Sequence, residues 1–200
     1  MRILGIDPGS RVTGWGVLDA DGWDVRFVAF GAIRTADGNT LSGRLQAIAA
    51  GLRGVIAEPR PDVAAVEEIF TARHPRGALV LGHARGVALL AAAEAGLMLH
   101  EYTPMQVKNA VTGTGRAEKA QVQAALATQL GMRELPQPLD ASDALAVALC
   151  HAAEARALAR MPAGDGPAAA WVALQAASLS GGGRGRTGGR GGRRALRSSR

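Results

Sequence analysis

Residues 2–34 read RILGIDPGSRVTGWGVLDADGWDVRFVAFGAIR, and this stretch predicts three consecutive β-strands. The apolar run at 2–7 ends at a Pro-Gly pair, which is typical of a buried strand closed by a turn. Segments 12–19 and 23–34 are rich in Val, Ile, Phe and Trp, and the Asp-Gly pair between them favours a hairpin turn. The chain is therefore expected to open with strands joined by tight turns.

The rest of the chain alternates between helical and strand patterns. Apolar residues near helical spacing predict a helix over 41–57, which two prolines end. We expect these further elements: a strand at 62–67, a helix at 77–95, a strand at 97–102, and helices at 104–111, 117–130 and 140–160. Alternating units require parallel crossovers. The order predicts an α/β fold of the ribonuclease H-like type, with a mixed five-stranded sheet flanked by helices.

Composition divides the chain near residue 160. The whole chain is 48% hydrophobic, and its segment 1–160 can form one folded domain. Residues 161–200 are predicted to be a linker and a disordered basic tail, because Gly, Arg and Ser bury little apolar surface. A single cysteine, Cys150, excludes an internal disulfide and suits a reducing cytosol. We see no signal peptide and no run of 18 apolar residues, and we expect a cytoplasmic protein.

The formal charge of +6 is unevenly placed. Residues 181–200 carry seven arginines and no acid, whereas residues 1–180 hold 16 basic and 17 acidic groups. The basic pI alone therefore does not show that the folded part binds nucleic acid. Lys108 and Lys119 are the only lysines beside 21 arginines. Two interpretations stay open: either a compact point charge is needed at these two positions or the distribution is chance.

Two acidic residues close predicted strands. Asp7 ends the first strand and Glu67 ends the strand at 62–67. Functional groups of α/β sheets gather at strand ends, although an acid there can also simply face solvent. Glu68 is the competitor of Glu67, and because side chains alternate along a strand, only one of the two can face Asp7.

A second acidic pair, Asp140 and Asp143, lies at the predicted start of the last helix. Residues three apart share a helix face, roughly 5–6 Å apart at their Cβ atoms. Helix capping explains one such acid, whereas two like charges together favour a divalent cation. With Asp7 and Glu67 the pair offers four oxygen ligands, which suit Mg²⁺ or Mn²⁺, and two ions would serve phosphodiester hydrolysis. No Cys/His group has zinc spacing, and His74, His83, His100 and His151 are interpreted as surface or core residues.

Five segments of the chain form a recognisable series: GIDPGSRVTGWGV (5–17), AVEEIF (65–70), LGHARGVAL (81–89), QVKNAVTGTGRAEKAQVQ (106–123) and DASDALAVAL (140–149). In this order, and over about residues 2–155, they resemble the RuvC family of bacterial Holliday junction resolvases. The resemblance implies a ribonuclease H-like nuclease domain. It also implies an endonuclease of DNA recombination and repair that nicks two junction strands of like polarity symmetrically, leaving 5′-phosphate and 3′-hydroxyl ends.

The resemblance also implies roles for single residues. It marks Asp7, Glu67, Asp140 and Asp143 as catalytic metal ligands, and it selects Glu67 over Glu68. Lys108 and Lys119 become DNA contacts near the scissile strand, and Lys119 is also a candidate for stabilising transition-state charge. Phe70 is expected to stack on bases at the junction centre, with core packing as its alternative. Arg73 and Arg76 are expected to contact the DNA backbone.

Partners follow from the same resemblance. Four-way junction DNA is the expected substrate, and a homodimer would present two copies of one site to two strands. Gly77, Gly82 and Gly86 would let one helix approach another closely. Sequence alone favours packing of this helix on the sheet, and it is the resemblance that indicates a dimer interface here. RuvA and RuvB, the branch-migration proteins, are the implied protein partners.

Two other functions compete with a junction nuclease. An actin-like or sugar-kinase ATPase also opens with a glycine-bearing strand-turn-strand and a leading Asp, but it needs a second similar domain, and it would hydrolyse ATP without DNA. A junction-binding module that does not cut would not need four converging carboxylates.

The basic tail at the end of the chain has two interpretations: it would either add salt-dependent affinity for DNA or only improve solubility. Deleting the tail would flatten the salt dependence of DNA binding only in the first case.

Overall fold

The computed structural model describes residues 1–36, 38–68, 75–134 and 137–160. The elements are β1 (Arg2–Asp7), β2 (Val12–Asp21), β3 (Asp24–Arg34), α1 (Leu41–Ala57), β4 (Val63–Glu67), α2 (Pro75–Glu94), β5 (Met98–Tyr102), α3 (Pro104–Thr112), α4 (Lys119–Gln129) and α5 (Leu139–Ala159). This order is the predicted one. Phe70, Arg73, His74 and the segment 161–200 lie outside the described residues.

The described strands form one five-stranded sheet in the order β3-β2-β1-β4-β5. β1 pairs antiparallel with β2, and β2 pairs antiparallel with β3 through the predicted hairpin, whose Gly22 adopts a φ of 57°. β4 lies parallel to β1, and β5 parallel to β4. The prediction of a mixed sheet is confirmed, because hairpins join the first three strands and helices join the others.

Side chains of the central strands alternate between two cores. Ile3 on β1 and Ala65 on β4 belong to a core that α3, α4 and α5 cover. Leu4, Ile6 and Val66 belong to the opposite core, which α1 and α2 cover. By the same alternation, Asp7 and Glu67 end their strands on the α5 face of the sheet.

Helix α5 is the central helix of the fold. Eleven of its residues, within 141–152, are buried, and this run is Ala-rich. Three glycines on the sheet allow the backbone of α5 to lie close to the strands beneath it. A Cβ at Gly5 or Gly14 would overlap the carbonyl oxygen of Ala144 or Asp140, and one at Gly16 would come within 2.6 Å of the Leu145 side chain. Glycine is therefore required where α5 crosses β1 and β2.

Helix α4 begins two residues later than the sequence predicted, at Lys119 rather than 117. Glu118 caps it: its backbone N–H donates to the Gln121 side chain at 2.8 Å, as in a capping box. This cap places the lysine in the first turn. Helix α2 begins at Pro75, two residues before the predicted start, because proline is tolerated in the first turn of a helix.

Among the described residues, α2 is the one helix long and apolar enough to cross a membrane, a test that core helices of soluble proteins also pass. Its alanines at 84, 88, 91 and 92 are buried, three of them in the core that α1 also lines. The buried alanines therefore form the side of α2 that packs against the core of the folded domain.

Candidate active site

Asp7 and Glu67 meet at one edge of the sheet because β1 and β4 are parallel neighbours. Ile6 pairs with Val66 in that ladder, so the next residue of each strand is one of the two acids. Adjacent strands lie about 4.8 Å apart. Both residues are half-buried, and they lie on the sheet face that α5 covers.

Asp140 and Asp143 enter this site from above the sheet. Helix α5 begins at Leu139, so Asp140 lies inside the first turn rather than at the N-cap. Gly14 is the β2 partner of Asp7, and the backbone of Asp140 lies directly on it. The absent side chain at Gly14 therefore brings the first turn of α5 down to the end of β1.

The four acids lie close enough for the charges of the other three to act on Asp7. Burial, together with the charges of Glu67, Asp143 and Asp140, raises the pKa of Asp7 to about 7, while Lys119 acts in the opposite direction. Burial also raises the pKa of Glu67, and the charge of Asp143 adds to this effect. Without a cation, the site therefore resists full ionisation.

Both lysines of the chain lie at this cluster. Lys119 Nζ donates a 2.7 Å hydrogen bond to Asp143 Oδ2, and this bond raises the pKa of the lysine. Lys108, on α3, is close enough to Glu67 for its charge to oppose the rise in that carboxyl's pKa. Both lysines are therefore placed where their charges act on the acidic cluster.

Glu68 faces away from the cluster, as the alternation predicts. It lines a cavity on the α2 side together with Gly82, Arg85 and Glu101. Arg85 forms an ion pair with Glu101, and its Nε donates to the backbone oxygen of Glu67 at 3.4 Å. These contacts fix the ends of β4 and β5, which holds Glu67 in place.

The donor set fits a hard divalent cation. The four acids supply carboxylate oxygens only, and hard cations such as Mg²⁺ prefer these ligands. A cation would also offset the mutual repulsion that raises the pKa of Asp7. Of the other residues predicted for this site, Arg76 is exposed at the start of α2, while Phe70 and Arg73 lie outside the described residues.

One cluster was missed by sequence reasoning. His100 and His151, which we interpreted as unrelated surface or core residues, lie together with Glu154, with one ligand atom of each within 4.8 Å of the others. The His151–Glu154 spacing of three was a readable signal, because such residues share a helix face. The proximity of His100 could not be predicted from the sequence, because His100 lies 51 residues before His151 in the chain.

The raised pKa of Asp7 predicts an unusual pH dependence of the metal-free protein. Between its ordinary value of 3.8 and about 7, the folded state holds a proton that the unfolded chain has lost. The contribution of this group to stability therefore falls as pH rises through that window. We expect Asp7→Asn to raise the Tm of chelator-treated protein at about pH 8 and to change it little at about pH 4.

Thermal denaturation of wild type and Asp7→Asn, compared across pH, tests this expectation. Burial lowers the pKa of His151 to about 4, so the contribution of His151 to stability rises with pH, opposite to that of Asp7. Because both proteins contain His151, the difference between their Tm values reports on Asp7 alone. A variant that is equally destabilised at every pH would contradict the raised pKa.

Comparisons with known proteins agree on one family. A family model described as "Crossover junction endodeoxyribonuclease RuvC" matches residues 3–151. A RuvC protein of Citrifermentans bemidjiense is 54% identical over 152 residues, which are 76% of this chain and 92% of that protein. A RuvC protein of Chloroflexus aurantiacus is 48% identical over 160 residues, 80% of this chain and 98% of that protein.

Solved structures give the same result. Thermus thermophilus RuvC in complex with a Holliday junction substrate superposes with a TM-score of 0.74 at 38% identity, covering 78% of this chain and 95% of that one. The free Thermus thermophilus protein gives a TM-score of 0.72 at the same identity. The ribonuclease H-like fold predicted from the element order is thereby confirmed.

Proposed function

The chain belongs to the RuvC family of crossover junction endodeoxyribonucleases, and we propose that it resolves Holliday junctions with Asp7, Glu67, Asp140 and Asp143 as its metal-binding carboxylates. It nicks two strands of like polarity symmetrically and leaves 5′-phosphate and 3′-hydroxyl ends for ligation. The observation that supports this best is the convergence of four acids from β1, β4 and α5 at one sheet edge, where burial and the charges of the other three acids raise the pKa of Asp7 to about 7.

Each residue has a distinct part in this proposal. Asp7 and Glu67 hold the base of the site from the sheet, and Asp140 and Asp143 close it from α5. Two Mg²⁺ or Mn²⁺ ions, when bound, would activate a water and stabilise the leaving 3′ oxygen. Lys119 neutralises Asp143 before DNA binds and faces the phosphate afterwards, where its charge opposes the negative charge of the transition state.

The function is tested by incubating the full chain with a synthetic four-way junction and with a linear duplex of the same sequence. We expect paired, symmetric nicks in the junction only, dependent on Mg²⁺ or Mn²⁺ and abolished by chelator. Ligase should seal the products, which verifies the proposed ends. Junction binding without cutting under any metal would instead favour a binding module.

Removing the charge of Lys119 should slow the chemical step rather than weaken DNA binding. Loss of one preorganised charge at a developing anion costs about 10²–10³ in rate. We therefore expect Lys119→Met to lower single-turnover cleavage by about that factor, with junction affinity within a few-fold of wild type. Lys119→Arg should recover only part of the rate, because a planar guanidinium replaces a point charge.

Arg116→Met serves as the matched control, since Arg116 is an exposed cation three residues before Lys119. The Arg116→Met protein lacks one surface charge and should cleave junctions at the wild-type rate. A wild-type rate in Lys119→Met, or an equal loss in both variants, would withdraw the catalytic role of Lys119.

DNA contacts extend the proposal beyond the cluster. Lys108 on α3 lies near Glu67 and would bind the phosphate backbone beside the scissile strand. Arg76, exposed at the start of α2, would do the same. From the family resemblance we also propose that Phe70 stacks on a base of the opened junction, and from its positive charge that Arg73 contacts the DNA backbone.

The exposed face of α2 supports a homodimer. Leu79 and Leu90 are 63% and 55% exposed, and they line an apolar groove with Gly82, Gly86 and Leu45. A Cβ at Gly82 or Gly86 would meet no atom within 4 Å, so the groove is open to an approaching helix. We propose that α2 of a second copy occupies it, which presents two active sites to two strands.

Leu79→Glu should convert this dimer into a monomer, because it places a charge in an apolar interface. Sedimentation at the concentrations used for cleavage measures the change, and the monomer should produce single rather than paired nicks. Leu158→Glu changes another exposed leucine, on α5, and should leave the dimer intact. A wild-type protein that sediments as a monomer when bound to junctions would contradict the proposal.

The remaining parts of the proposal rest on sequence and family. We propose that residues 1–160 form the nuclease domain and that the basic segment 161–200 adds salt-dependent affinity for DNA. The protein would act in the cytoplasm, where RuvA and RuvB deliver the junction.

A further inference from the structure

A second group of potential metal ligands lies on the same sheet face, between β5 and α5. His100 is on β5, and His151 and Glu154 are on α5, three residues apart and hence on one helix face. One nitrogen of each imidazole and one oxygen of Glu154 lie within 4.8 Å of one another. The two imidazole rings are 4.2 Å apart between centroids and tilted by 40°.

This cluster is separate from the four catalytic candidates. His151 is eight residues beyond Asp143 on α5, which is about 12 Å along the helix axis. His100 pairs with Ala65, two residues before Glu67 on the neighbouring strand. The cluster is also different in chemistry, because nitrogen donors predominate over oxygen.

Tyr102 orients the cluster through two hydrogen bonds. Its hydroxyl donates to Glu154 Oε2 and lies 2.7 Å from His151 Nδ1. Because the phenol has only one proton and donates it to the carboxylate, His151 must donate its Nδ1–H to the phenol oxygen. The other nitrogen, Nε2, then carries a free lone pair, as it does in metal-binding histidines whose second nitrogen is fixed by a hydrogen bond.

Both imidazoles are neutral at physiological pH. Burial lowers the pKa of His151 to about 4, and the nearby His100 contributes to the lowering. Burial also lowers the pKa of His100, against the charge of Glu154. A metal ion therefore does not have to displace a proton from either ring.

We propose that His100, His151 and Glu154 bind a Zn²⁺ ion that ties the edge strand β5 to helix α5. Two imidazole nitrogens and one carboxylate oxygen form a ligand set that zinc accepts, with a fourth position left for water. Zinc–ligand bonds of about 2.0–2.1 Å place tetrahedral ligands roughly 3.4 Å apart, so the three atoms must move closer together on binding. Glu154 is exposed at its helix position and can make this movement.

The test is titration of chelator-treated full-length protein with ZnCl₂ in excess Mg²⁺, followed by calorimetry. The magnesium occupies the carboxylate site, which prefers hard cations, and leaves the imidazoles free. We expect one zinc per chain, with affinity at least about tenfold weaker in His100→Asn and in Glu154→Gln. Tyr102→Phe should weaken it by about tenfold, because the orienting hydrogen bonds are lost.

Cobalt gives an independent readout. Co²⁺ added to the wild type should produce the visible absorption of a tetrahedral nitrogen-ligated ion, and His100→Asn should abolish it. His100 is only half-buried and Glu154 is exposed, so both variants should fold, which circular dichroism verifies. Both should also cut junctions in Mg²⁺ at the wild-type rate, since neither lies at the carboxylate site.

Two control variants locate the zinc. His83→Asn removes an exposed histidine of α2 and Asp7→Asn alters the carboxylate site, and both should retain zinc binding. Undiminished zinc affinity in both His100→Asn and Glu154→Gln would overturn the proposal. Loss of zinc binding in Asp7→Asn would also overturn it, because the metal would then belong to the carboxylates.

Discussion

Asp7→Asn should abolish junction cleavage while leaving junction binding close to wild type. The amide keeps the size of the carboxylate but removes the negative charge that would hold a divalent cation at the end of β1. Since two-metal hydrolysis depends on both ions, we expect the single-turnover rate to fall by at least about 10³-fold. Affinity for the junction should change little, because basic side chains that contact phosphates supply most of it.

Glu67→Gln and Glu68→Gln form a matched pair for the same experiment. The two glutamates are neighbours in sequence, but Glu67 ends its strand on the α5 face and Glu68 lines the cavity with Arg85. Glu67→Gln should share the loss of cleavage seen for Asp7→Asn, and Glu68→Gln should not. If Asp7→Asn cut at the wild-type rate, or if Glu68→Gln were the inactive member of the pair, the assignment of the carboxylates would be wrong.

Gly14→Ala should disrupt the active site although Gly14 carries no functional group. The new Cβ would overlap the carbonyl oxygen of Asp140, which belongs to a helix backbone and cannot move alone. Either α5 rises from the sheet and carries Asp140 and Asp143 away from Asp7, or the fold loses stability. Overpacking of this kind costs about 3 kcal/mol at its upper range, which corresponds to a fall in Tm of about 6–12 °C.

The control is Gly54→Ala on the exposed side of α1, where a Cβ would meet no atom within 4 Å. Alanine inside a helix is favoured over glycine, so this variant should gain about 0.5–1 kcal/mol and cut junctions normally. Thermal denaturation and single-turnover cleavage measure both variants. A Gly14→Ala protein with unchanged Tm and rate would show that α5 does not depend on this contact.

The order of elements was predictable because each has a strong local signal. The hairpin, the strand 62–67 and the helix 41–57 carry turn residues or clear periodicity, and the structure confirms each type. The hairpin turn lies at residues 22–23, one residue later than predicted, because Asp21 pairs with Asp24. The alternation of side chains along a strand also correctly predicted that Glu67 and Glu68 lie on opposite faces of the sheet. The observed start of α4 lies two residues after the predicted start, because Glu118 is the N-cap of this helix.

Contacts between distant residues were not predictable from the residues alone. The ion pair of Lys119 with Asp143 spans 24 positions, and the contact of Tyr102 with His151 spans 49. The depth of α5 depends on Gly14 lying beneath Asp140, and a glycine in a strand does not reveal what approaches it. The raised pKa of Asp7 is likewise a product of burial and of charges that only the fold brings together.

The most direct test of the metal centre is an anomalous diffraction map from crystals of the full chain with Mn²⁺. We expect manganese between Asp7, Glu67, Asp140 and Asp143, with carboxylate oxygens as its protein ligands. With junction DNA bound, a second peak should lie about 3.5–4 Å from the first. Manganese bound elsewhere while these four carboxylates hold none would contradict the account, because the acids would then be a charged cluster without the chemistry assigned to it.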